Sequence, residues 1–266
     1  MYDFAYHRPK SLADAVSALK GKEEAKVMSG GMTLIPTLKQ RLAQPSHLVD
    51  IGGLAELSGI EVTGTQLAIG AATQHFEVES SAVVKRAIPA LAALAHEIGD
   101  PQVRNRGTLG GSVANNDPAA DYPAAVLALE ATIVTNKREI AAADFFQGMF
   151  ATALEEGEVV VRVRFNIPRR AAYEKFRHPA SGYAMAGVFV AEGATGLRVA
   201  VTGAAAGVFR WAEAETALAK KMDPAVLEGL NLDATDMNED IHATREYRAN
   251  LVRVMTKRAL NKMLAA

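Results

Sequence analysis

The sequence predicts an α+β fold in two domains, and the order of its elements is the main reason. As far as residue 168, short apolar runs of strand length alternate with stretches of helical period, whereas beyond residue 172 a group of strands is followed by a group of helices. Pro168, Arg169 and Arg170 end one strand and are typical of a linker, so we place the domain boundary at 168–172. With 266 residues, 49% of them hydrophobic, the chain is long enough to bury a full core.

Composition excludes several classes of function. The net charge of −1 gives no indication of binding to nucleic acid or to an anionic membrane, and no apolar run approaches the length of a membrane span. The first residues lack the apolar core of a secretory signal, so we expect a cytoplasmic protein. There is no cysteine, and the six histidines are scattered without ligand spacing. We therefore expect no metal site and no iron–sulfur cluster, and any redox chemistry would need an organic cofactor.

The first fifty residues predict a compact β–Gly–Gly–α–β unit. Ser11 has the position of an N-cap for a first helix, because the apolar residues after it recur at helical spacing. A strand over 25–28 runs directly into Gly30 and Gly31, and Thr33 is expected to cap a second helix. A further strand is predicted over 47–51. The glycine pair would then lie where helix N–H groups point outward.

The remaining elements follow from hydrophobic period and turn residues. A Thr-Gly-Thr turn predicts a hairpin of strands 59–62 and 66–70. The segment 99–119, rich in glycine and asparagine, is predicted to be a long loop that is either functional or disordered. The other predicted strands are 131–135, 158–166, 173–177, 184–191, 197–202 and 207–211, and the other predicted helices are 82–98 (interrupted at Pro89), 120–129, 212–221, 224–230 and 244–264.

Two glycine pairs carry the candidate chemistry. The first lies in SGGMTLIP (29–36) and the second in RGTLGGSVANNDPAADYPAA (106–125), where hydroxyl residues flank the pair and Asp121 starts an apolar helix. A glycine pair permits positive φ or lets a ligand lie against the peptide groups, and two such turns suit one extended, phosphate-bearing ligand. Neither motif matches the Rossmann or P-loop pattern, and most glycine pairs are only tight turns. The residues alone leave both interpretations open.

Together with YEKFRHPASGYAMAGVFVA (173–191), these motifs resemble the FAD-binding (medium) subunit of the molybdenum hydroxylases, of the carbon monoxide dehydrogenase medium subunit and xanthine dehydrogenase FAD-binding subunit type. The resemblance covers nearly the whole chain. It implies a vanillyl-alcohol-oxidase-like FAD-binding domain over 1–168, with subdomains of about 1–55 and 56–168, and a C-terminal flavoprotein domain over 172–266 with an antiparallel sheet and helices. Because the chain has no cysteine and neither glycine motif contains a histidine, we expect non-covalent FAD.

Carried over by position, the resemblance also implies a set of cofactor-binding residues and no catalytic residue. The first motif would wrap the pyrophosphate through its backbone N–H groups, the second would form another wall, and Asp121 would bind hydroxyl groups. Met32 and Ser112 depart from the relatives, many of which have His and Asn there, and a methionine packs rather than hydrogen-bonds. The implied residues are Val27, Met28, Ser29, Gly30, Gly31, Met32, Thr33, Leu34, Ile98, Thr108, Leu109, Gly110, Gly111, Ser112, Asp121, Val160, Lys175 and Tyr183.

Three functions are consistent with these observations. The favoured one is the flavoprotein subunit of a molybdenum hydroxylase, with an iron–sulfur small subunit and a molybdopterin large subunit as partners, which passes electrons from the iron–sulfur subunit to an external acceptor such as a quinone, NAD or oxygen. A stand-alone FAD-dependent oxidoreductase and a non-catalytic nucleotide-binding module are the alternatives. We expect Arg104, Arg106 and Asp100 to contribute to docking of the iron–sulfur subunit. The substrate and the final acceptor are not encoded in these motifs.

Overall fold

The N-terminal unit is a three-stranded parallel sheet with two helices. The computed structural model describes residues 1–265. The elements of this unit are β1 (Ala5–His7), α1 (Leu12–Leu19), β2 (Lys26–Met28), α2 (Leu34–Lys39) and β3 (His47–Asp50). The strand order is β1-β3-β2, so the predicted β2–α2–β3 unit is present. Ser11 caps α1 by accepting a hydrogen bond from the Asp14 N–H, whereas the Thr33 side chain makes no cap bond to α2.

The middle of the chain forms a five-stranded antiparallel sheet covered by helices, with strand order β4-β5-β10-β6-β7. A separate hairpin, β8–β9, projects beside it. The elements are β4 (Ile60–Thr63), β5 (Gln66–Gly70), α3 (His75–Ser80), α4 (Ala82–Ala87), α5 (Pro89–His96), α6 (Pro101–Arg104), α7 (Leu109–Asn115), α8 (Tyr122–Ala128), β6 (Thr132–Thr135), β7 (Glu139–Ala141), α9 (Ala142–Phe145), β8 (Phe146–Gly148), β9 (Ala151–Thr152) and β10 (Val160–Asn166).

The C-terminal part is a four-stranded antiparallel sheet with a helical layer, as the sequence predicts. Its strands lie in chain order and its long last helix packs across β11 and β12. The segment 224–229 is a 3-10 helix rather than the predicted α-helix. The elements are β11 (Arg170–Arg177), β12 (Ala184–Gly193), β13 (Gly196–Thr202), β14 (Phe209–Arg210), α10 (Ala212–Lys220) and α11 (Arg245–Ala265).

The two faces of the C-terminal sheet belong to different cores. Tyr173 and Phe189 point into the core of the middle unit, while their strand neighbours Val188 and Val190 pack with α10 and α11. Side chains alternate along a strand, so a single sheet can serve both cores. Full burial of a side chain such as Phe189 contributes about 2–3 kcal/mol. The C-terminal sheet is thus one wall of the core that supports the candidate site.

The prediction of a long loop over 99–119 is wrong. Asp100 caps α6 by accepting a hydrogen bond from the Val103 N–H, and Thr108 caps α7 by accepting one from the Gly111 N–H. The glycines of the second motif therefore lie inside a helix, because close packing and the cap outweigh their low helix propensity. Sequence reasoning also missed α3, which a reciprocal capping box between Gln74 and Glu77 starts. Across residues 1–265, no helix has the length and apolar character to cross a membrane.

Candidate cofactor site

A cavity of about 510 Å³ lies between the N-terminal unit and the middle unit, with Tyr183, the residue before β12, at its edge. The two glycine motifs form opposite parts of its wall. Of the residues implied by sequence, all but Leu109 and Lys175 line it. The Leu109 side chain is fully buried in the core of the middle unit instead. The volume lies within the range of small-molecule sites.

The first glycine motif presents a row of free backbone donors. Gly31 has a φ of +72°, so the chain turns sharply before α2. Within residues 1–265, the N–H groups of five successive residues donate to no backbone or side-chain acceptor; they are Gly30, Gly31, Met32, Thr33 and Leu34. Successive free N–H groups at such a turn form an anion-binding concavity. This wall can therefore hold the oxygen atoms of a phosphate.

In the second glycine motif, the N–H groups of Leu109, Gly110 and Gly111 donate to acceptors within the protein. The Leu109 N–H donates to the Thr73 carbonyl at 3.0 Å, the Gly110 N–H donates to the Ala71 carbonyl at 2.8 Å, and the Gly111 N–H donates to the cap hydroxyl at 3.2 Å. These bonds attach α7 to the end of the middle sheet. The second motif therefore lines the cavity without providing a second set of phosphate donors.

Close contact joins the two motifs. A Cβ atom on Gly30 would lie 1.9 Å from the Arg106 carbonyl oxygen, so no larger residue fits between the motifs. The Thr108 hydroxyl donates to the Ser29 hydroxyl at 3.2 Å. The N-terminal unit and the middle unit are thereby fixed relative to each other across the cavity.

Asp121 is held by two residues of the C-terminal sheet. Its carboxylate accepts hydrogen bonds from the Tyr173 hydroxyl at 2.5 Å and from the Lys175 ammonium at 3.1 Å, and Lys175 also donates to the Glu97 carbonyl oxygen. Burial raises the pKa of the Asp121 carboxyl, while Lys175 and Tyr173 act in the opposite direction. The Lys175 side chain is only 1% exposed and does not line the cavity. Lys175 thus positions Asp121 rather than reaching the cavity itself.

Sequence reasoning missed two buried ionisable residues of the cavity wall. His75, at the start of α3, is 5% exposed, and burial together with the nearby Arg104 lowers its pKa to about 4. For Glu158, burial would raise the pKa, but hydrogen bonds from Arg138, the Glu155 N–H and Thr135 outweigh burial and lower the pKa to about 2. Neither residue lies in a glycine motif, and the capping box at α3 is the only local signal for His75.

Arg104 is not an exposed surface charge. Its side chain is buried, with Nε 2.7 Å from a Glu79 carboxylate oxygen, and it donates to the carbonyl oxygens of Ile98 and Gly99 at 3.1 Å. The exposed-charge interpretation of Arg104 is therefore wrong, and this side chain instead secures the loop before α6. Arg106 and Asp100 are exposed. Their role in docking stays a prediction.

The residues present fit an FAD molecule. The free N–H groups of the first motif match the acceptor oxygens of a pyrophosphate, and Ile98, Leu154 and Val160 give apolar surface for a flat ring system. Gly111 faces the cavity without a side chain, so a ligand can approach the α7 backbone. Tyr183 is half exposed at the rim, and burial followed by the charge of Asp117 raises its pKa.

Comparisons with known proteins agree with this geometry. Residues 2–169 match the family described as the FAD binding domain in molybdopterin dehydrogenase. The chain is 38% identical to the carbon monoxide dehydrogenase medium chain of Hydrogenophaga pseudoflava, over 97% of this chain and 96% of the relative. It is 30% identical to the xanthine dehydrogenase FAD-binding subunit of Escherichia coli O157:H7, over 100% of this chain and 98% of the relative.

Solved structures are also similar along the whole chain. A chain of carbon monoxide dehydrogenase from Hydrogenophaga pseudoflava, in a form that lacks the Mo-pyranopterin moiety, superposes with a TM-score of 0.91 at 37% identity, covering 99% of this chain and 98% of that one. A chain of quinoline 2-oxidoreductase from Pseudomonas putida 86 superposes with a TM-score of 0.89 at 30% identity, with the same coverage of both chains.

Proposed function

The chain belongs to the family of FAD-binding domains of molybdopterin dehydrogenases, and we propose that it is the FAD-carrying electron-transfer subunit of a multi-subunit molybdenum hydroxylase. The observation that carries the proposal is similarity over nearly the full length of chains named as medium or FAD-binding subunits. In such a complex this chain would bind FAD, and other chains would supply the substrate site.

We propose that FAD occupies the 510 Å³ cavity, with its pyrophosphate at the first glycine motif. The five free N–H groups from Gly30 to Leu34 support this placement, because consecutive free N–H groups at a turn form a concavity that binds anions. These donors would bind the phosphate oxygens, and the glycines of the second motif would contact the ligand. Backbone donors are insensitive to side-chain identity, so Met32 does not weaken this binding.

The other residues would orient the cofactor. Asp121 can accept hydrogen bonds from ligand hydroxyl groups with lone pairs that Tyr173 and Lys175 leave free. Ile98 and Val160 would keep water from the ring system, and Tyr183 would close the cavity at its exposed rim. When bound, FAD accepts electrons in pairs and releases them singly, which links one-electron and two-electron carriers. No covalent link is expected.

The absence of cysteine from the sequence supports the proposed partner subunits. The sequence contains no cysteine, so iron–sulfur clusters with thiolate ligands would be carried by a separate small subunit. A large molybdopterin subunit would hold the substrate. We propose that electrons enter from the small subunit and leave to an external acceptor, and that the complex is cytoplasmic.

The test is to purify the chain alone and with its complex and to compare them. The isolated chain is expected to bind one FAD per chain, to release it completely on acid precipitation, and to oxidise no organic substrate. The complex is expected to reduce the bound flavin when substrate is added. Bleaching of the visible flavin absorbance measures this reduction directly.

Two outcomes would overturn the proposal. Turnover of an organic substrate by the pure isolated chain would make it a stand-alone oxidoreductase. A chain that binds no FAD, either alone or in the complex, would be a non-catalytic module. Flavin retained on the acid-denatured chain would overturn the non-covalent assignment alone.

A further inference from the structure

We infer that His75 binds the cofactor, donating a hydrogen bond from Nε2 to an oxygen atom of FAD, and this inference rests on the proposed placement of FAD in the cavity. His75 belongs to neither glycine motif. It begins α3, where its backbone N–H donates to the Gly107 carbonyl at 2.9 Å. Gln74 pairs with Thr108 in an isolated β-bridge. The imidazole is therefore fixed beside the start of the second motif.

The imidazole is buried at the cavity wall without a partner. It is 5% exposed, lines the cavity, and packs at a tilt on the Tyr122 ring with centroids 5.4 Å apart. Neither ring nitrogen makes a hydrogen bond within residues 1–265, and Nδ1 is completely enclosed. Buried polar atoms without hydrogen-bond partners are rare in proteins, and each one indicates a bound water or ligand that supplies the partner. Here a cavity lies next to the ring.

The other ring edge faces the wall that the ligand would contact. A Cβ atom on Gly107 would lie 2.6 Å from Nε2 and 2.8 Å from Cδ2, and Gly107 itself lines the cavity. Only a glycine at this position leaves room for the imidazole. The glycine before Thr108 therefore makes room for the histidine, whereas Gly110 lets α7 pack on Ala71 and Gly111 faces the cavity.

The charge state makes the imidazole a donor of one proton. Burial and the neighbouring Arg104 lower the pKa of His75 to about 4, so the ring is neutral at pH 7 and carries a single N–H. An enclosed N–H without an acceptor is less well tolerated than an enclosed lone pair. The proton therefore belongs on Nε2, and its partner is an acceptor such as a phosphate, hydroxyl or carbonyl oxygen of the cofactor.

Three variants test this assignment through FAD affinity. His75→Gln places an amide N–H near the position of Nε2, His75→Asn places it near Nδ1, and His75→Phe keeps an aromatic ring against Tyr122 without a donor. FAD dissociation constants are measured by quenching of flavin fluorescence at pH 7, and the melting temperature of each apoprotein is measured in parallel. We expect the Asn and Phe variants to bind FAD about tenfold more weakly, the loss typical of one hydrogen bond. We expect the Gln variant to stay within about threefold of the native protein.

The outcomes separate this inference from the proposed function. Two outcomes would make His75 a packing residue and overturn the inference. One is equal FAD affinity in all three variants. The other is a loss of FAD affinity that correlates with the apoprotein melting temperature and not with the position of the amide. Absence of FAD binding by the native chain would instead overturn the proposed function. If the Phe variant does not fold, the Gln and Asn pair alone decides the question, because both are polar and differ mainly in reach.

Discussion

At the residue scale, the glycines of the two motifs are needed for different reasons. Gly30 lets two backbones touch, Gly31 adopts positive φ, Gly110 lets α7 pack on Ala71, and Gly111 faces the cavity. From the sequence, the two pairs could be tight turns or parts of one phosphate-binding site, and the four glycines could not be distinguished. Only the folded chain distinguishes them, because close approach depends on residues far apart in sequence.

This difference predicts unlike effects for two adjacent substitutions. A Cβ atom at Gly110 would lie 2.4 Å from the Ala71 Cβ and 2.8 Å from its carbonyl oxygen, so Gly110→Ala is expected to destabilise the fold by about 1–3 kcal/mol. A side chain at Gly111 meets only the Thr108 hydroxyl and the cavity, so Gly111→Val is expected to abolish FAD binding while the chain stays folded. Circular dichroism and flavin content measure the two effects. Loss of secondary structure in the Gly111 variant would contradict the prediction.

Glu158 makes stability depend on pH in the acid range. Its side chain is fully buried and accepts hydrogen bonds from Arg138 at 3.1 Å and from Thr135 at 2.7 Å. The pKa in the folded chain is about 2, against an ordinary value of 4.5. Because the folded pKa is the lower one, the ionised carboxylate stabilises the fold above pH 4.5, and this contribution of about 3 kcal/mol is lost as pH falls from 4.5 towards 2.

Glu158→Gln tests the pH dependence. The variant is expected to be less stable than the native chain at pH 7 and to lose less stability on acidification. Urea unfolding at pH 7, 4 and 3 provides the free energies. A free energy of unfolding that falls in parallel for both proteins would show that other carboxylates govern acid unfolding.

At the element scale, Lys175 of β11 links the C-terminal sheet to the start of α8. Its ammonium lies 3.0 Å from an Asp121 oxygen, and both side chains are almost completely buried. Removing one member of a buried ion pair leaves the other charge without a partner, which typically costs about 3–5 kcal/mol. Lys175→Met is therefore expected to destabilise the fold by this amount and to weaken FAD binding, because Asp121 borders the cavity.

A surface pair provides the matched control for Lys175. Lys221 and Asp223 lie 2.8 Å apart, with side chains 70% and 37% exposed. Lys221→Met removes the same charge and the same hydrogen bond, but water replaces both, so a much smaller loss of stability is expected than for Lys175→Met. Chemical unfolding and FAD titration of both variants provide the comparison. Similar losses in both would contradict a structural role for the buried pair.

Some of the helices and strands could be predicted from the sequence and others could not. Strands β10 to β13 and helix α11 were predicted because their hydrophobic period is long and uninterrupted. The short elements α6, α7, β8 and β9 were not, since caps and contacts with distant backbone stabilise them. For example, the Asn116 side chain donates to the carbonyl oxygens of Gly148 and Ala151, which holds the β8–β9 hairpin.

The candidate site was predictable to a similar extent. The motifs located most of the cavity wall, because glycine and hydroxyl residues cluster there in sequence. The sequence did not predict the unpaired N–H groups of the first motif, the buried His75 or the structural role of Arg104. Each of these depends on which hydrogen-bond acceptors the fold brings near. Hydrogen bonds between residues far apart in sequence leave no local pattern.

At the scale of the whole molecule, the predicted domain boundary at 168–172 separates two parts of the chain that share one core. Tyr173, Phe189, Ala191 and Ala200 of the C-terminal sheet are buried in the core that carries the cavity. Separate domains would each need a complete core of their own. We therefore expect the chain to unfold in one cooperative transition by calorimetry, with equal calorimetric and van't Hoff enthalpies.

A fragment comprising residues 1–168 is the decisive comparison. It lacks the strand residues that cover its apolar core, and it leaves Asp121 without Tyr173 and Lys175. We expect the fragment to melt at a lower temperature than the whole chain, to bind a hydrophobic dye, and to hold FAD more weakly. The free amides of the first motif remain in the fragment, so some affinity for the pyrophosphate should persist. Two separate melting transitions in the whole chain, with native FAD affinity in the fragment, would make the C-terminal sheet an independent domain. Weak but measurable FAD binding by the fragment would instead assign phosphate binding to the N-terminal unit. The closure of the cavity that gives full affinity would then be assigned to β11.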